Sequence, residues 1–514
     1  MGNIKVTFRR YWIFIISIIL YGIGLSVHFI AQWKGPHPHQ GQDILEKVGS
    51  QALNVTNSKY AKPDNLFYFV QVSDIHMSER YTRGAQGHFY YLLKKVIPMI
   101  NPNFLFITGD ITDSMKSLLS IATQENDWIM YRKILDETGT STKNNGTFVW
   151  DIRGNHDCFM VPEWKSEYNY FKEYSQTKTR GFSFSYDTNY GSYSFIGIDG
   201  CPILTTTNPF FGIIDEVTME KYGTFMEKVK ANPKNKHNFV LSHYPETTLK
   251  FGKSLSDKEW NDYTKDISLL LSGHFHSIGG DHVYAYHKDF LELEINDFKL
   301  HGRYRIVSVD NDVVTFTDKN LPLPKLPYDF KTSKIDSLIK DPPSVFNEDL
   351  PPIVHITLPK NSRFNLKRGE PIEESYTSEY IRVLVFSNHP STELHLTAVI
   401  DGKYQPELKF QYVGDQKLSK RSSQIRIHKR DSQNRSLNED HTIETGTPPL
   451  WVCKWDSTIF NDGKSHTLKI IVEDAAGHSG EDSISFRVDG KSDDINVPFF
   501  ATFVLKSVMV KSVK

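Results

Sequence analysis

Cysteine is scarce: 3 in 514 residues, too few for a disulfide-dense scaffold or a multi-thiolate zinc protein. Net charge is nearly absent as well. The chain sets 60 Lys plus Arg against 61 Asp plus Glu, for a net −1. That balance argues against a nucleic-acid-binding protein, because a phosphate backbone demands clustered positive charge. With 39% hydrophobic residues and a mean hydropathy of −0.42, the chain lacks the apolar content of a polytopic membrane protein but keeps enough for ordinary cores. What it does have is 20 histidines. A metal held by this chain takes imidazole and carboxylate ligands rather than thiolates. At about 150 residues per domain, the length predicts roughly two to four domains.

One long apolar run is present. Tyr11 to Ala31 carries no charge, and at about 1.5 Å per residue it is long enough to cross a hydrocarbon core of about 30 Å. Lys5, Arg9 and Arg10 precede it and only Lys34 follows closely. The positive flank predicts a single-pass anchor with a cytosolic N-terminus and the remainder in the endomembrane lumen or outside the cell. A cleavable signal peptide is the alternative; the length of the run and bulky Phe29 count against it. Both export the chain. Acceptor sequons at Asn54, Asn145 and Asn434 agree weakly with a glycoprotein. In an oxidising compartment Cys158 and Cys201 are able to pair, leaving Cys453; three unpaired buried thiols fit equally well.

The pattern along the chain predicts residues 1–34 as cytosolic stub and transmembrane anchor, and 35–65 as a linker. Residues 66–321 alternate short apolar runs with helical patterns, as in a layered αββα domain of the α/β class. Residues 322–352 hold 7 of the 24 prolines and read as a linker draped over a surface. Residues 353–490 read as an all-β sandwich of immunoglobulin type without its cysteine pair, punctuated by Asp401-Gly402, Asp462-Gly463 and Ala476-Gly477. Inside it, the polar run Ser419 to Glu444 reads as a long loop. Residues 491–514 form a tail whose apolar part, Val497 to Val513, is interrupted by Lys506 and Lys511 and is too short to span.

Chemistry gathers where the apolar runs of the first domain end. Leu66–Val72 leads to Asp74 and His76, Phe104–Thr108 to Gly109, Asp110 and Asp113, and Phe148–Arg153 to Gly154, Asn155, His156 and Asp157. Asn238–Ser242 leads to His243, and Ser268–Ser272 to Gly273, His274 and His276. In α/β sheets the carboxyl ends of strands are where ligands and catalytic groups collect. A lone His-x-His arises by chance roughly 0.8 times in a chain of this composition, and His37-Pro-His39 is such an accident. Hard oxygen and nitrogen donors after each of these strands are a joint pattern.

These motifs, in this order, resemble the full set of the calcineurin-like metallophosphoesterase superfamily. The layout is similar to the transmembrane protein 62 family, through Asn208–Asp215, Gly279-Gly280, Leu291–Glu294, Arg303–Ile306, Trp455 and Glu473–Gly477. That family implies further spans after the sandwich, which the sequence to Lys514 does not contain. The resemblance implies two metal ions (Mn, Zn or Fe). Asp74, His76 and His276 hold one, Asn155, His243 and His274 hold the other, and Asp110 bridges both. Two dications repel, so an anionic carboxylate and a bridging hydroxide between them offset the repulsion, and that hydroxide attacks the phosphorus. By the same resemblance His156 serves the leaving-group oxygen as general acid or charge stabiliser, and Asp113 orients it. The alternative for Asp113 is a helix N-cap, and the two roles are compatible. Asp157 and Gly154 look structural, a tight turn with a carboxylate on backbone N–H groups.

Ser114 stands where a serine/threonine protein phosphatase is expected to carry Arg. Thr112 precedes Asp113 directly, without the Tyr expected of a purple acid phosphatase. Arg80, Arg83 and His88 either line a phosphate cleft or form a solvated loop. Phe182 to Tyr193 reads as core and strand, and His282, His287 and His301 as surface or core. Together these features predict a membrane-anchored, lumen-facing metal-dependent phosphoric ester hydrolase acting on a phosphate-ester substrate. One alternative is a catalytically silent binding scaffold; another is a phosphodiesterase acting on a glycolipid or lipid anchor.

Overall fold

The computed structural model describes residues 59–80, 85–117, 120–201, 210–276, 283–323, 335–371, 377–414, 422–430, 436–444 and 446–495. The Tyr11–Ala31 run, the Asn54 and Asn434 sequons, His37, His39, Arg83, Gly279-Gly280, His282 and the Val497–Val513 run lie outside the described residues. Among the described residues no helix is long and apolar enough to cross a membrane.

The first domain places two sheets face to face. Its strands are β1 (Leu66–Val72), β2 (Leu105–Thr108), β3 (Val149–Ile152), β4 (Phe182–Asp187), β5 (Ser192–Ile198), β6 (Asn235–Ser242), β7 (Leu269–Ser272), β8 (Val283–Tyr286), β9 (Leu291–Glu294), β10 (Arg303–Asp310) and β11 (Val313–Asn320). Sheet one runs β11-β10-β1-β2-β3, and β1, β2 and β3 are mutually parallel. Sheet two has β8-β9-β7-β6-β5-β4 in order, with β9, β7, β6 and β5 parallel. Every residue of β1 and β2 is buried, as expected of strands covered on both faces.

Alternation along β1 divides its side chains between layers. Phe67 and Phe69 enter an aromatic core between the sheets with Phe106, Phe195 and Phe239, where Phe69 meets Phe106 edge-on at 5.2 Å. Leu66, Val70 and Val72 face the opposite layer with Phe89, Trp128 and Tyr131. Helix α1 (Glu125–Glu137) supplies Trp128, Tyr131, Ile134 and Leu135 to that layer. Helix α2 (Glu216–Lys230) covers the outer face of sheet two with Met219, Tyr222, Met226 and Val229. Asp215 caps α2 by accepting from Thr218 N at 2.9 Å.

The second domain is a sandwich of antiparallel sheets. Strands β12 (Ile353–Leu358), β13 (Tyr380–Phe386), β14 (Leu394–Ile400), β15 (Ser422–Arg430), β16 (Ser436–Glu444), β17 (Leu450–Lys454), β18 (His466–Asp474) and β19 (Ser479–Phe486) follow in sequence. β12-β13-β17 and β14-β18-β19 form its two faces around Val383, Trp451, Trp455, Leu468, Ile470 and Phe486. Cys453 is free and buried.

Two segments differ from the sequence-based expectation. The Ser419–Glu444 run contains the β15–β16 hairpin, and β15 pairs with β4, extending sheet two of the first domain. The period-two alternation in Gln424-Ile425-Arg426-Ile427 explains this: Ile425 and Ile443 enter the aromatic core and Ile427 packs partly buried against it, while Arg426 pairs with Asp440 on the opposite face. The apparent loop was a strand whose polar face dominates its composition. The described part of the proline-rich stretch, from Ile335 on, is likewise packed rather than draped. Ile335, Leu338, Val345, Phe346 and Leu350 join the core outside sheet one, with Phe346 against Tyr91 at 5.1 Å.

Candidate metal centre

The carboxyl ends of β1, β2 and β3 meet those of β6 and β7 at one rim, so both sheets deliver donors to the same place. Backbone bonds fix the loops to one another: Asp74 N to Gly109 O at 3.0 Å, His76 N to Asp110 O at 2.9 Å and Gly273 N to His243 O at 3.0 Å. The backbone turns sharply to aim these side chains. Asp74 (φ 57°), His76 (52°), Asp110 (48°), His274 (85°) and His276 (52°) all lie in the left-handed region. Asp and His enter that region more readily than most residues, and strain of about 1–3 kcal/mol each is the kind that functional sites store. Gly109 is required where it stands, since its φ is 90° and a Cβ there would lie 2.7 Å from Gly154 N and 2.7 Å from His243 Cβ.

Two donor groups share Asp110. In the first, His76 Nε2 lies 3.1 Å from His276 Nε2, 3.9 Å from Asp74 Oδ1 and 3.7 Å from Asp110 Oδ2, while His276 Nε2 lies 3.0 Å from Asp74 Oδ1. In the second, Asn155 Oδ1 lies 3.0 Å from His243 Nε2 and 2.9 Å from His274 Nδ1, and His243 Nε2 lies 3.4 Å from Asp110 Oδ1. The two carboxylate oxygens of Asp110 thus face different groups. Donor atoms about 2.0–2.2 Å from a shared ion fall roughly 3–4 Å from one another, the spacing found here. Asp74, His76, Asp110 and His276 together make a buried group able to hold an ion.

Tautomers agree with this geometry. His243 Nδ1 contacts the Thr108 carbonyl at 2.9 Å and His274 Nε2 the Phe210 carbonyl at 3.0 Å. A carbonyl only accepts, so those nitrogens carry the protons. The lone pairs of His243 Nε2 and His274 Nδ1 are left facing the donor group. His76 does the same through Asp113, whose Oδ1 lies 3.0 Å from Nδ1. Imidazoles anchored at their outer nitrogen are characteristic of metal ligands.

The charges make the same demand. Burial works to protonate Asp74 and Asp110, but neighbouring histidine charges outweigh it and hold both below the usual carboxylate range. Burial lowers His76 to about 4 and His274 to about 3. His243, despite its burial, is raised to about 9 by Asp110, so the buried carboxylates draw positive charge onto the nearest imidazole when no other cation balances them. The donors present fit divalent ions of the Mn, Zn and Fe type.

Asp113 departs from its expected role. Its carboxylate bonds Lys299 Nζ at 2.8 Å and lies 3.0 Å from His76 Nδ1. His156 is held instead by the Asp113 backbone carbonyl, 2.7 Å from Nδ1. The Asp113 side chain reaches to the loop after β1, where His76 stands. Asp113 is not a helix N-cap either, since β-structure (Met115–Ser117) follows it. His156 Nε2 stands 3.9 Å from Asp110 Oδ2 on a ring 24% exposed. Asp157 accepts from Ile111 N, Thr112 N and Gly154 N at 3.1, 2.9 and 2.8 Å, which ties the loop together. A disulfide joins Cys158 to Cys201, Cα atoms 6.1 Å apart. It pins the same loop to the end of β5.

Arg80 is exposed, and His88 is buried, its ring edge-on to Phe298. Reading the sequence missed Lys299 and Phe210. Strand β9 runs parallel to β7 and ends at the same rim, so Asn296 to Lys299 arrive beside the centre, with Lys299 N on the Asp74 carbonyl at 3.1 Å. The Leu291–Glu294 strand followed by Asn-Asp was the available signal. Phe210 is 38% exposed, and its ring lies 4.9 Å from that of His274.

Residues 67–277 match the calcineurin-like phosphoesterase family and residues 348–492 the TMEM62 Ig-like domain. The chain is 28% identical to mouse Transmembrane protein 62 over 480 residues, 91% of this chain and 61% of the mouse protein. It is 25% identical over 342 residues to an Arabidopsis thaliana protein bearing a metallophosphoesterase name, covering 55% of this chain and 44% of that protein. The chain therefore spans under two thirds of the length of both relatives. A solved Plasmodium structure, GAP50, titled the anchor in the inner membrane complex, aligns with 51% of this chain and 87% of its own at a TM-score of 0.32 and 12% identity.

Proposed function

From a chain that carries a calcineurin-like phosphoesterase domain followed by a TMEM62-type Ig-like domain, we propose a dinuclear-metal phosphoesterase, anchored in a membrane with its catalytic domain on the lumenal or outer side. The observation that carries the enzymatic reading is the bridging posture of Asp110, one oxygen toward His76 and the other toward His243. The proposed ligands are Asp74, His76 and His276 on one side and Asn155, His243 and His274 on the other. Metal ions bound there supply Lewis acidity, lowering the pKa of water and balancing charge on phosphoryl oxygens.

The chain's own residues do the rest. Asp110 keeps the two donor groups in register, and Thr108, Phe210 and Asp113 hold three imidazoles in ligating orientation. His156 has its Nδ1 proton committed to the Asp113 carbonyl, which leaves Nε2 to take up a proton and pass it to the leaving-group oxygen. The exposed Phe210 ring offers an apolar contact beside His274. That favours a substrate with an apolar group near its phosphate, and a lipid-linked phosphodiester fits this and a membrane anchor. A silent scaffold is the weaker reading, because every donor position holds a competent donor.

The test is hydrolysis of an aryl phosphodiester with added Mn²⁺, with bound metal counted in each protein. His156→Ala is expected to lower kcat by about 10²–10⁴ at full metal content, and Asp110→Asn to lose both metal and activity. Equal rates in wild type and both variants would sink the reading. Lumenal placement is supported by the Cys158–Cys201 disulfide, a bond of oxidising compartments. Glycosidase-sensitive glycan at the exposed Asn145 in intact cells is the expected result; an Asn145 that is never modified counts against it.

A further inference from the structure

The Ig-like domain holds a second group of metal-ligand type, remote in sequence from the phosphoesterase motifs. His389 sits in the loop between β13 and β14, Asp474 ends β18, and His478 closes the turn into β19. One ligand atom from each residue lies within 4.8 Å of the other two. Asp474 Oδ2 is the pivot, 3.6 Å from His389 Nε2 and 3.1 Å from His478 Nδ1.

The surroundings prepare these atoms. Strand pairing places Leu394 opposite Asp474, which brings the His389 loop to the end of β18. The turn is closed by Asp474 N to His478 O at 3.0 Å and Gly477 N to Asp474 O at 3.0 Å, with Gly477 at φ 84°. Asp474 Oδ1 is committed to His478 N at 2.9 Å, so Oδ2 turns to the imidazoles on a carboxylate with no exposed side-chain surface. On the far side of the His389 ring, Glu393 Oε2 lies 3.0 Å from Nδ1. A carboxylate there anchors the outer nitrogen of the ring and aims Nε2 at Asp474. The 3.6 Å between Nε2 and Asp474 Oδ2 is too long for a direct hydrogen bond and is the spacing of two ligands on one ion. A carboxylate–imidazole–metal relay has this form.

We propose that His389 Nε2, Asp474 Oδ2 and His478 Nδ1 form a binding site for a divalent ion of the zinc class. Donors about 2.0–2.2 Å from zinc at tetrahedral angles sit roughly 3.3 Å apart, and the contacts to Oδ2 bracket that value. Three protein donors leave a fourth position, which opens to water because His389 and His478 keep 18% and 39% of their side-chain surface. Two imidazoles and one carboxylate favour zinc over calcium or magnesium, which take oxygen ligands. The ion clips the β13–β14 loop to the β18–β19 turn. This site is independent of the phosphoesterase reading.

The experiment strips the full chain of metal with a chelator, reloads it with Zn²⁺ alone and counts zinc per chain after gel filtration. A His389→Ala/His478→Ala double variant is expected to hold about one zinc fewer than wild type and to show a smaller zinc-induced rise in Tm. Glu393→Gln is expected to weaken that site roughly 10–100-fold, with the count restored at high zinc. Tm in chelator reports folding; if the double variant melts early there, His478→Asn is read by zinc count alone. Equal counts and equal zinc-induced shifts in wild type and variants overturn the proposal. Failure of the phosphoesterase centre to hold metal lowers both counts alike and leaves the difference of about one intact, so the two readings fail separately.

Discussion

Asp113 shows how one side chain's direction assigns its role. Its carboxylate lies on His76 and Lys299, and only its backbone carbonyl touches His156. Asp113→Asn is therefore expected to weaken metal binding, by about 10–100-fold for a group supporting a metal-ligating histidine. At saturating metal the pH dependence of kcat is expected to stay where it is in the wild type, because the carbonyl that holds His156 remains. A shifted pH profile under metal saturation would show the side chain acting on His156 after all. A second residue-scale case lies away from the centre. His287, expected to be ordinary surface or core, sits between Glu246 and Glu292, 2.6 Å from each. Burial alone would lower its pKa, but the two carboxylates outweigh it and raise it to about 10. The folded-state value exceeds the roughly 6.5 of free imidazole, so the protonated triad stabilises fully below that pH and loses its contribution as pH rises toward about 10. The gap in urea midpoint between wild type and His287→Gln is expected to narrow steadily from pH 6 to pH 10; a gap independent of pH would mean His287 is neutral throughout.

At the scale of elements, the β15–β16 hairpin belongs by sequence to the second domain and by pairing to sheet two of the first. Ile425 is fully buried in the aromatic core, and Tyr186 Oη bonds Ser423 Oγ at 3.0 Å across the junction. Ile425→Ala is expected to cost about 2–5 kcal/mol, the range for a large-to-small change in a packed core. The loss should appear in the unfolding of the phosphoesterase domain, read by hydrogen exchange of β4 and β5; exchange confined to the hairpin would mean the pairing is ornamental. The same hairpin marks where the sequence was hard to read. Strands such as Leu66–Val72, buried on both faces, announce themselves as apolar runs, and their ends carried Asp74, Asp110, His243 and His274 to one rim as the motif order implies. A half-buried strand with two isoleucines among Arg, His, Lys and Glu shows the same period two but a loop's composition. Lys299 and Phe210 escaped notice for a different reason: they reach the centre through a strand end and a loop carbonyl that only tertiary pairing brings near.

On the scale of the whole molecule, the two domains share a core instead of meeting across a linker. Tyr68 of β1 packs on Phe386 of β13 at 5.1 Å, and Thr317 of β11 bonds Asp482 of β19 at 3.0 Å. They are also tied by an ion pair with no exposed side-chain surface on either partner. Arg382 of β13 forks onto the Asp310 carboxylate at the end of β10, Nε to Oδ2 at 2.8 Å and Nη2 to Oδ1 at 2.8 Å. Thr357 Oγ1 adds a bond to Asp310 Oδ2 at 2.6 Å, and Arg382 Nη1 reaches the Lys62 carbonyl at 2.9 Å. Two charges removed from water this completely gain little over a well-packed apolar pair, but either one left alone is costly. Arg382→Met, which keeps the volume of the stem and strands the carboxylate, is expected to destabilise the chain by about 3–5 kcal/mol. Asp310→Asn in the same chain removes the stranded charge and is expected to recover a large part of that loss. Because the pair joins two strands of one shared core, protection from hydrogen exchange should fall together in Leu66–Val72 and Tyr380–Phe386 in the single variant and return together in the double. Loss confined to the Ig-like strands, with the phosphoesterase strands protected as in the wild type, would show that the domains unfold independently and that Arg382 stabilises only its own.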